Sequence, residues 1–148
     1  MELEKEIATI FEDNYHKVVV NILYTYGWLT TILRQRLSKE DITLQQYNIL
    51  RILRGQKPNP ATINLLKERM LDKMSDASRI VDRLVVKGLV AREVNADDRR
   101  SVDITITKRG LDVLMSLDAE IDSKDILGNT VTEEEALQLN RILDKLRG

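Results

Sequence analysis

Two short stretches of this chain hold side chains whose types and spacing suit contact with a DNA duplex. In the first, Ser75, Asp76, Ser78 and Arg79 open a helical run. Serine hydrogen-bonds several base edges, aspartate accepts from the cytosine amino group, and arginine grips guanine through two parallel bonds. In the second, Arg99 and Arg100 stand on a polar loop between two strand-like runs. An arginine on such a tip fits the minor groove, where a narrow width concentrates negative potential. Each of these residues also has a plainer reading. Ser75 suits an N-cap, and Asp76 suits the positive end of a helix dipole. Ser78 and Arg79 suit an exposed helix face, and the paired arginines a solvated hairpin tip.

Catalytic chemistry has little to stand on. The single histidine, His16, lies in a helical run and reads as a surface or interface residue. The 148 residues hold no cysteine, which removes thiol nucleophiles, disulfides, zinc knuckles and iron–sulfur sites. There is no G-x-S-x-G, no G-x-G-x-x-G and no phosphate-binding loop. The carboxylates are spaced as helix caps and solvated faces. Neither an enzyme nor a bound metal or cofactor is expected.

The elements that must position these residues are read from hydrophobic period and capping signals. Leu3, Ile7, Ile10, Phe11 and Val18 predict one helix over Leu3 to Val20, with Gly27 as a weak point before a further run through Leu37. Thr43-Leu44-Gln45-Gln46 is a capping box, and Gly55 is the expected stop. Asn59 and Pro60 read as N-cap and first residue of a short helix carrying Ile63, Leu66 and Met70. Ser75 reads as the cap of the next helix. Its buried face is Ala77, Ile80, Val81, Leu84 and Val85, and its exposed face is Asp76, Arg79, Arg83 and Lys87. Gly88 ends it, with Leu89 as the apolar contact beyond. The period then changes to two over Leu89–Val94 and Val102–Thr107, a hairpin that must lean on the helices. Helical rhythm returns from Leu111 to Ile121, breaks at Gly128-Asn129 and restarts at the capping box Thr132-Glu133-Glu134-Glu135. The order predicts a mainly α (α+β) chain: a winged helix-turn-helix between N- and C-terminal helices. In such a unit the second helix of the turn enters the major groove.

The continuous stretch Ser78-Arg79-Ile80-Val81-Asp82-Arg83-Leu84-Val85-Val86-Lys87-Gly88-Leu89-Val90-Ala91-Arg92, followed by Asp97-Asp98-Arg99-Arg100-Ser101 and Ile106-Thr107-Lys108-Arg109-Gly110, resembles the MarR family of bacterial transcription regulators. The resemblance implies a homodimer on a pseudo-palindromic operator in double-stranded DNA. It also implies repression that many members relieve on binding a small anionic or aromatic effector. By the same resemblance Arg100 enters the minor groove and Asp98 holds the wing arginines. Ser75, Asp76, Ser78 and Arg79 face the major groove, and Arg83 lies near phosphates or pairs with the wing aspartate. It implies a division into 1–37 and 111–148 as dimerisation helices and 38–110 as the DNA-binding domain. Two residues depart from the pattern: Asp72 in the turn, where an apolar residue is usual, and Lys67 in place of a small one. Tyr15, Tyr24, Tyr26 and Trp28 are candidates for an effector cavity, with core or dimer packing the plainer use.

The net charge of −1 argues against nucleic acid only as an average. Residues 28–110 hold 17 Lys+Arg against 10 Asp+Glu, whereas residues 1–27 hold 2 against 5 and residues 111–148 hold 4 against 9. The basic excess falls on the segment with the winged pattern. The acidic start lacks the pattern of a secretory signal, and the 16-residue uncharged run Val18–Leu33 is short and polar for a membrane span, so a cytoplasmic protein is expected. The alternative is a winged-helix adaptor that binds protein instead of DNA. The Arg-Arg wing discriminates, since an adaptor has no need of it.

Overall fold

A computed structural model describes residues 2–148. Its elements run α1 (Leu3–Ile7), α2 (Asn14–Leu37), α3 (Leu44–Gln56), α4 (Ile63–Arg69), α5 (Ala77–Val86), β1 (Val90–Val94), β2 (Val102–Ile106), α6 (Lys108–Glu120), α7 (Ser123–Leu127) and α8 (Glu133–Arg147). The chain is mainly helical with one two-stranded antiparallel sheet, as its periodicity requires.

The N-terminal region departs from the expected helix. After α1 the chain turns at Ala8, which takes a left-handed conformation at φ +48°. Helix α2 starts afresh where the Asp13 side chain accepts from the His16 N–H at 2.8 Å. That cap overrides an apolar rhythm that continues across the break. From there α2 passes straight through Gly27, where the Thr30 and Thr31 hydroxyls donate to the glycine carbonyl. Gly27 is therefore no weak point.

Helix α3 is central and packs against α2, α5, α6 and β2. Its capping box forms as the sequence predicts: the Thr43 hydroxyl accepts from Gln46 N–H at 3.1 Å and the Gln46 side-chain oxygen accepts from Thr43 N–H at 3.0 Å. Ile49, Leu50 and Leu53 from α3 meet Leu66, Val81, Leu84, Ile104, Leu114 and Leu117 in one continuous core. The segment before α4 behaves differently from its reading. Ala61 exchanges both backbone hydrogen bonds with Ile104, at 2.9 and 2.8 Å, and so adds a one-residue edge to the sheet. The cap of α4 is consequently Thr62, accepting from Leu65 N–H at 3.2 Å, and not Asn59.

Helix α5 ends as its glycine predicts. Gly88 adopts φ +72°, its N–H reaches Val85 O at 2.9 Å, and Leu89 N–H reaches Leu84 O at 3.0 Å. This is the paired 5→2 and 6→1 closure of a Schellman motif, with Leu89 buried beneath it. The hairpin follows in the register Val90↔Ile106 to Val94↔Val102. Thr107 then joins three elements: it caps α6 through Gly110 N–H, donates to Gly88 O at 2.8 Å, and its N–H bonds Leu89 O. Gly110 completes the contact, because a Cβ there would lie 2.3 Å from Leu89 O and 2.7 Å from the Ile106 side chain.

Helix α6 stops at Ile121, earlier than the Gly128 break, and Asp122 caps the short α7. Ion pairs and hydrogen bonds fix α6 and α7 to α2, the segment after it and α3. Arg36 bonds the Glu120 carbonyl and the Asp125 carboxylate, both at 2.7 Å, and Lys39 bonds Glu120. Arg54 of α3 forks onto Asp118 at 2.5 and 3.1 Å. That carboxylate raises the guanidinium pKa further, against a partial desolvation that would lower it. The capping box at Thr132 forms and starts α8, whose Leu137, Leu139, Ile142 and Leu146 stay exposed on the single chain. Among the described residues no helix is long and apolar enough to cross a membrane.

Candidate nucleic-acid interface

The helix-turn-helix and its wing are built on α4, the turn after it, α5 and the hairpin. The turn is held from two sides. Asn48 on α3 accepts from Leu71 N–H at 2.9 Å. Asp72 accepts from Met74 N–H through its side chain at 3.0 Å and from Ser75 N–H through its carbonyl at 3.3 Å. Asp72 thus supplies the turn by its own side chain, which is why no apolar residue is needed there. Lys67 is exposed.

The cap of α5 is Asp76, one residue later than read: its side chain accepts from Arg79 N–H at 3.2 Å. Ser75 is partly buried, and its hydroxyl is fully enclosed without a hydrogen-bond partner. Asp76 does the capping expected of Ser75, and the Ser75 hydroxyl is turned away from the surface it was expected to read. Ser78 is partly buried, while Arg79 and Arg83 are exposed, and neither arginine has an ion-pair partner among the described residues. Lys87, read as exposed, is instead drawn to the Asp41 carbonyl, with its carboxylate 3.4 Å away. Val85, read as buried, lies at the edge of the core and is partly exposed.

The wing tip is a hydrogen-bonded loop. Asn95 organises it: its side-chain oxygen accepts from Asp97 and Asp98 N–H at 2.9 Å each. Its amide nitrogen donates to both Asp103 oxygens at 3.1 and 3.0 Å. Asp98 then accepts from Arg100 N–H at 3.0 Å, and its carbonyl from Ser101 N–H at 2.9 Å. Asp98 therefore positions the arginine backbone and leaves the guanidinium groups of Arg99 and Arg100 exposed. The expected pairing of Arg83 with the wing aspartate does not form. The link between α5 and the hairpin is made one residue earlier, by Asp82 with Arg92 of β1.

Four residues of this region carry no functional pattern in the sequence: Thr62, Asn64, Arg92 and Asn95. Thr62, Asn64 and Arg92 line a groove of about 360 Å³ with Asp98, Arg100 and Ser101, between the start of α4 and the wing. Asn95 could have been found from its place at the head of a polar loop, where an asparagine closes turns on its own backbone. Arg92 carried no signal, since its partner lies ten residues back on another element.

Residues 40–101 match the family model described as MarR family. Over 122 residues the chain is 32% identical to the HTH-type transcriptional repressor MdtR of Bacillus subtilis (strain 168), a match spanning 76% of this chain and 72% of MdtR. The chain belongs to the MarR family. Solved MarR-family structures carry the same fold. A mutant of MarR from E. coli, complexed with operator DNA, superposes with a TM-score of 0.75 at 25% identity, covering 99% of each chain. A MarR-like transcription regulator from Bacillus cereus ATCC 10987 superposes with a TM-score of 0.77 at 25% identity, covering 90% of this chain and 96% of that one. MarR-family proteins are transcription regulators and assemble as dimers.

The aromatic residues of α2 do not enter the core of the single chain: Tyr15, Tyr24, Tyr26 and Trp28 are all substantially exposed. Tyr24 and Trp28 line a cleft of about 630 Å³ that also holds Glu2, Glu6 and Lys17. The Glu6 carboxylate facing Tyr24 raises the phenol pKa. With two carboxylates in its wall, this cleft is poorly suited to an anionic ligand.

Proposed function

We propose that this chain is a repressor that binds a pseudo-palindromic operator as a homodimer. Residues 38–110 form the DNA-reading unit, and 1–37 and 111–148 supply the dimer helices. The observation that carries the reading is the wing. Its backbone is tied at every turn while Arg99 and Arg100 remain exposed beside an α5 that presents Arg79 and Arg83. Exposed cations on a pre-ordered support are suited to phosphates and the minor groove, because little ordering entropy remains to be lost on binding. In this reading Ser78 and Arg79 face base edges, Arg83 and Arg92 face phosphates, and Arg100 enters the minor groove. Asp76 and Asp98 act through the caps they make. The operator complex of E. coli MarR and the repressor role of MdtR support the assignment. A small aromatic or anionic effector would release the DNA, and an anionic one would bind elsewhere than the acid-walled cleft of Tyr24 and Trp28.

The test is retention of the wild-type protein on random-sequence duplex DNA at low salt. Retention that falls steeply as salt rises is expected. A protein that passes through unretained at every salt concentration would instead be the protein-binding adaptor.

A further inference from the structure

We propose that Met74 is a base-reading residue whose side chain takes the C5-methyl group of a thymine in the major groove. The inference rests on the DNA-binding reading above. Met74 is 93% exposed, among the most exposed large apolar side chains of the chain. It stands two residues before the Asp76 cap, at the mouth of α5, the end of a recognition helix that meets base edges. With the Ser75 hydroxyl enclosed, Met74 is the exposed apolar side chain at this mouth, between the exposed Lys73 and Asp76.

The exposure does not come from a slack loop. Asp72 receives the N–H groups of Met74 and Ser75, and Asn48 receives that of Leu71, so the backbone is held on both sides of the side chain. A methionine offers no strong donor or acceptor and cannot select a base by hydrogen bonding. The major-groove edges of the four bases carry one apolar group, the thymine methyl. Its flexible, polarisable chain adapts to that group without demanding a single docking angle. The same turn exposes Lys67, Arg69, Lys73 and Arg79 against Glu68, Asp72 and Asp76, a small basic excess, and the choice of nucleic acid as partner rests on the DNA-binding reading above.

The experiment begins with duplexes that wild-type protein selects from a random-sequence pool. Each thymine of the recovered duplex is then replaced in turn by deoxyuridine, which removes only the methyl group. Wild type is expected to lose about fourfold in affinity at one thymine per half-site, the worth of one methyl group withdrawn from water. Met74→Ala should bind without regard to that replacement, Met74→Leu should regain the sensitivity, and Leu71→Ala, on the same turn, should keep it. An unchanged thermal melt would show that Met74→Ala is folded. The inference is overturned if every deoxyuridine replacement is silent for wild type, or if Met74→Ala keeps the wild-type pattern. In either case selection of a duplex leaves the DNA-binding reading standing. If wild type selects no duplex, both fall.

Discussion

Arg79 and Arg100 are both exposed cations, yet their supports differ and so do their expected roles. Arg79 rises from the first turn of α5, with its own N–H bound to the Asp76 cap. Arg79→Ala is expected to lose discrimination at particular base pairs, by on the order of 1–3 kcal/mol. Competition binding with singly substituted duplexes measures this, and uniform weakening over all sequences would place Arg79 on phosphates. The wing arginines were legible in the sequence because strand alternation on both sides left Asn95–Ser101 as the only place for a hairpin tip. Ser75 was misplaced for a definable reason. Ser75 and Asp76 are equally good caps, and spacing does not choose between adjacent residues. Packing of the turn chose, by enclosing the serine hydroxyl.

At the scale of elements, the structure rests on contacts that link α5, the hairpin and α6. Gly110 lies where any side chain would press on the Leu89 carbonyl. Gly110→Ala should therefore lower stability by about 1–3 kcal/mol, the usual cost of overfilling a packed site, as read from urea unfolding. A fully stable variant would show that this junction relaxes easily. The Asp82–Arg92 pair is partly exposed, with side chains 58% and 37% accessible, so its worth to folding is at most about 1 kcal/mol. It joins α5 to β1 of the hairpin. Asp82→Ala and Arg92→Ala should each weaken operator binding, and the double variant should be little worse than the weaker-binding single one. Fully additive losses in that double-mutant cycle would mean that the residues act separately. Capping signals made Thr43, Thr132 and Gly88 legible, since each is a local rule obeyed locally. The start of α4 was not, because the Ala61–Ile104 bridge that delays it depends on a strand more than forty residues away.

At the scale of the molecule, the charge layout and the exposed apolar faces point in two directions. The basic excess of residues 28–110 lies with the reading unit, and the acidic excess lies in the flanking helices. Leu139, Ile142 and Leu146 on α8, with Val19, Leu23 and Tyr26 on α2, stay exposed in one chain, as a dimer face would. Ile142→Arg should shift the protein toward monomer in sedimentation velocity and weaken operator binding with it; an unchanged dimer would remove α8 from the interface. The sequence showed the basic centre once the net charge was divided along the chain, but periodicity alone could not say which apolar stripes remain unpartnered. Whether the wing arginines engage DNA is read from a salt titration of affinity on a selected duplex. Arg100→Ala is expected to bind more weakly than wild type, with the logarithmic salt slope shallower by about one unit per protomer. Equal affinity and an equal slope for the two proteins would contradict the account.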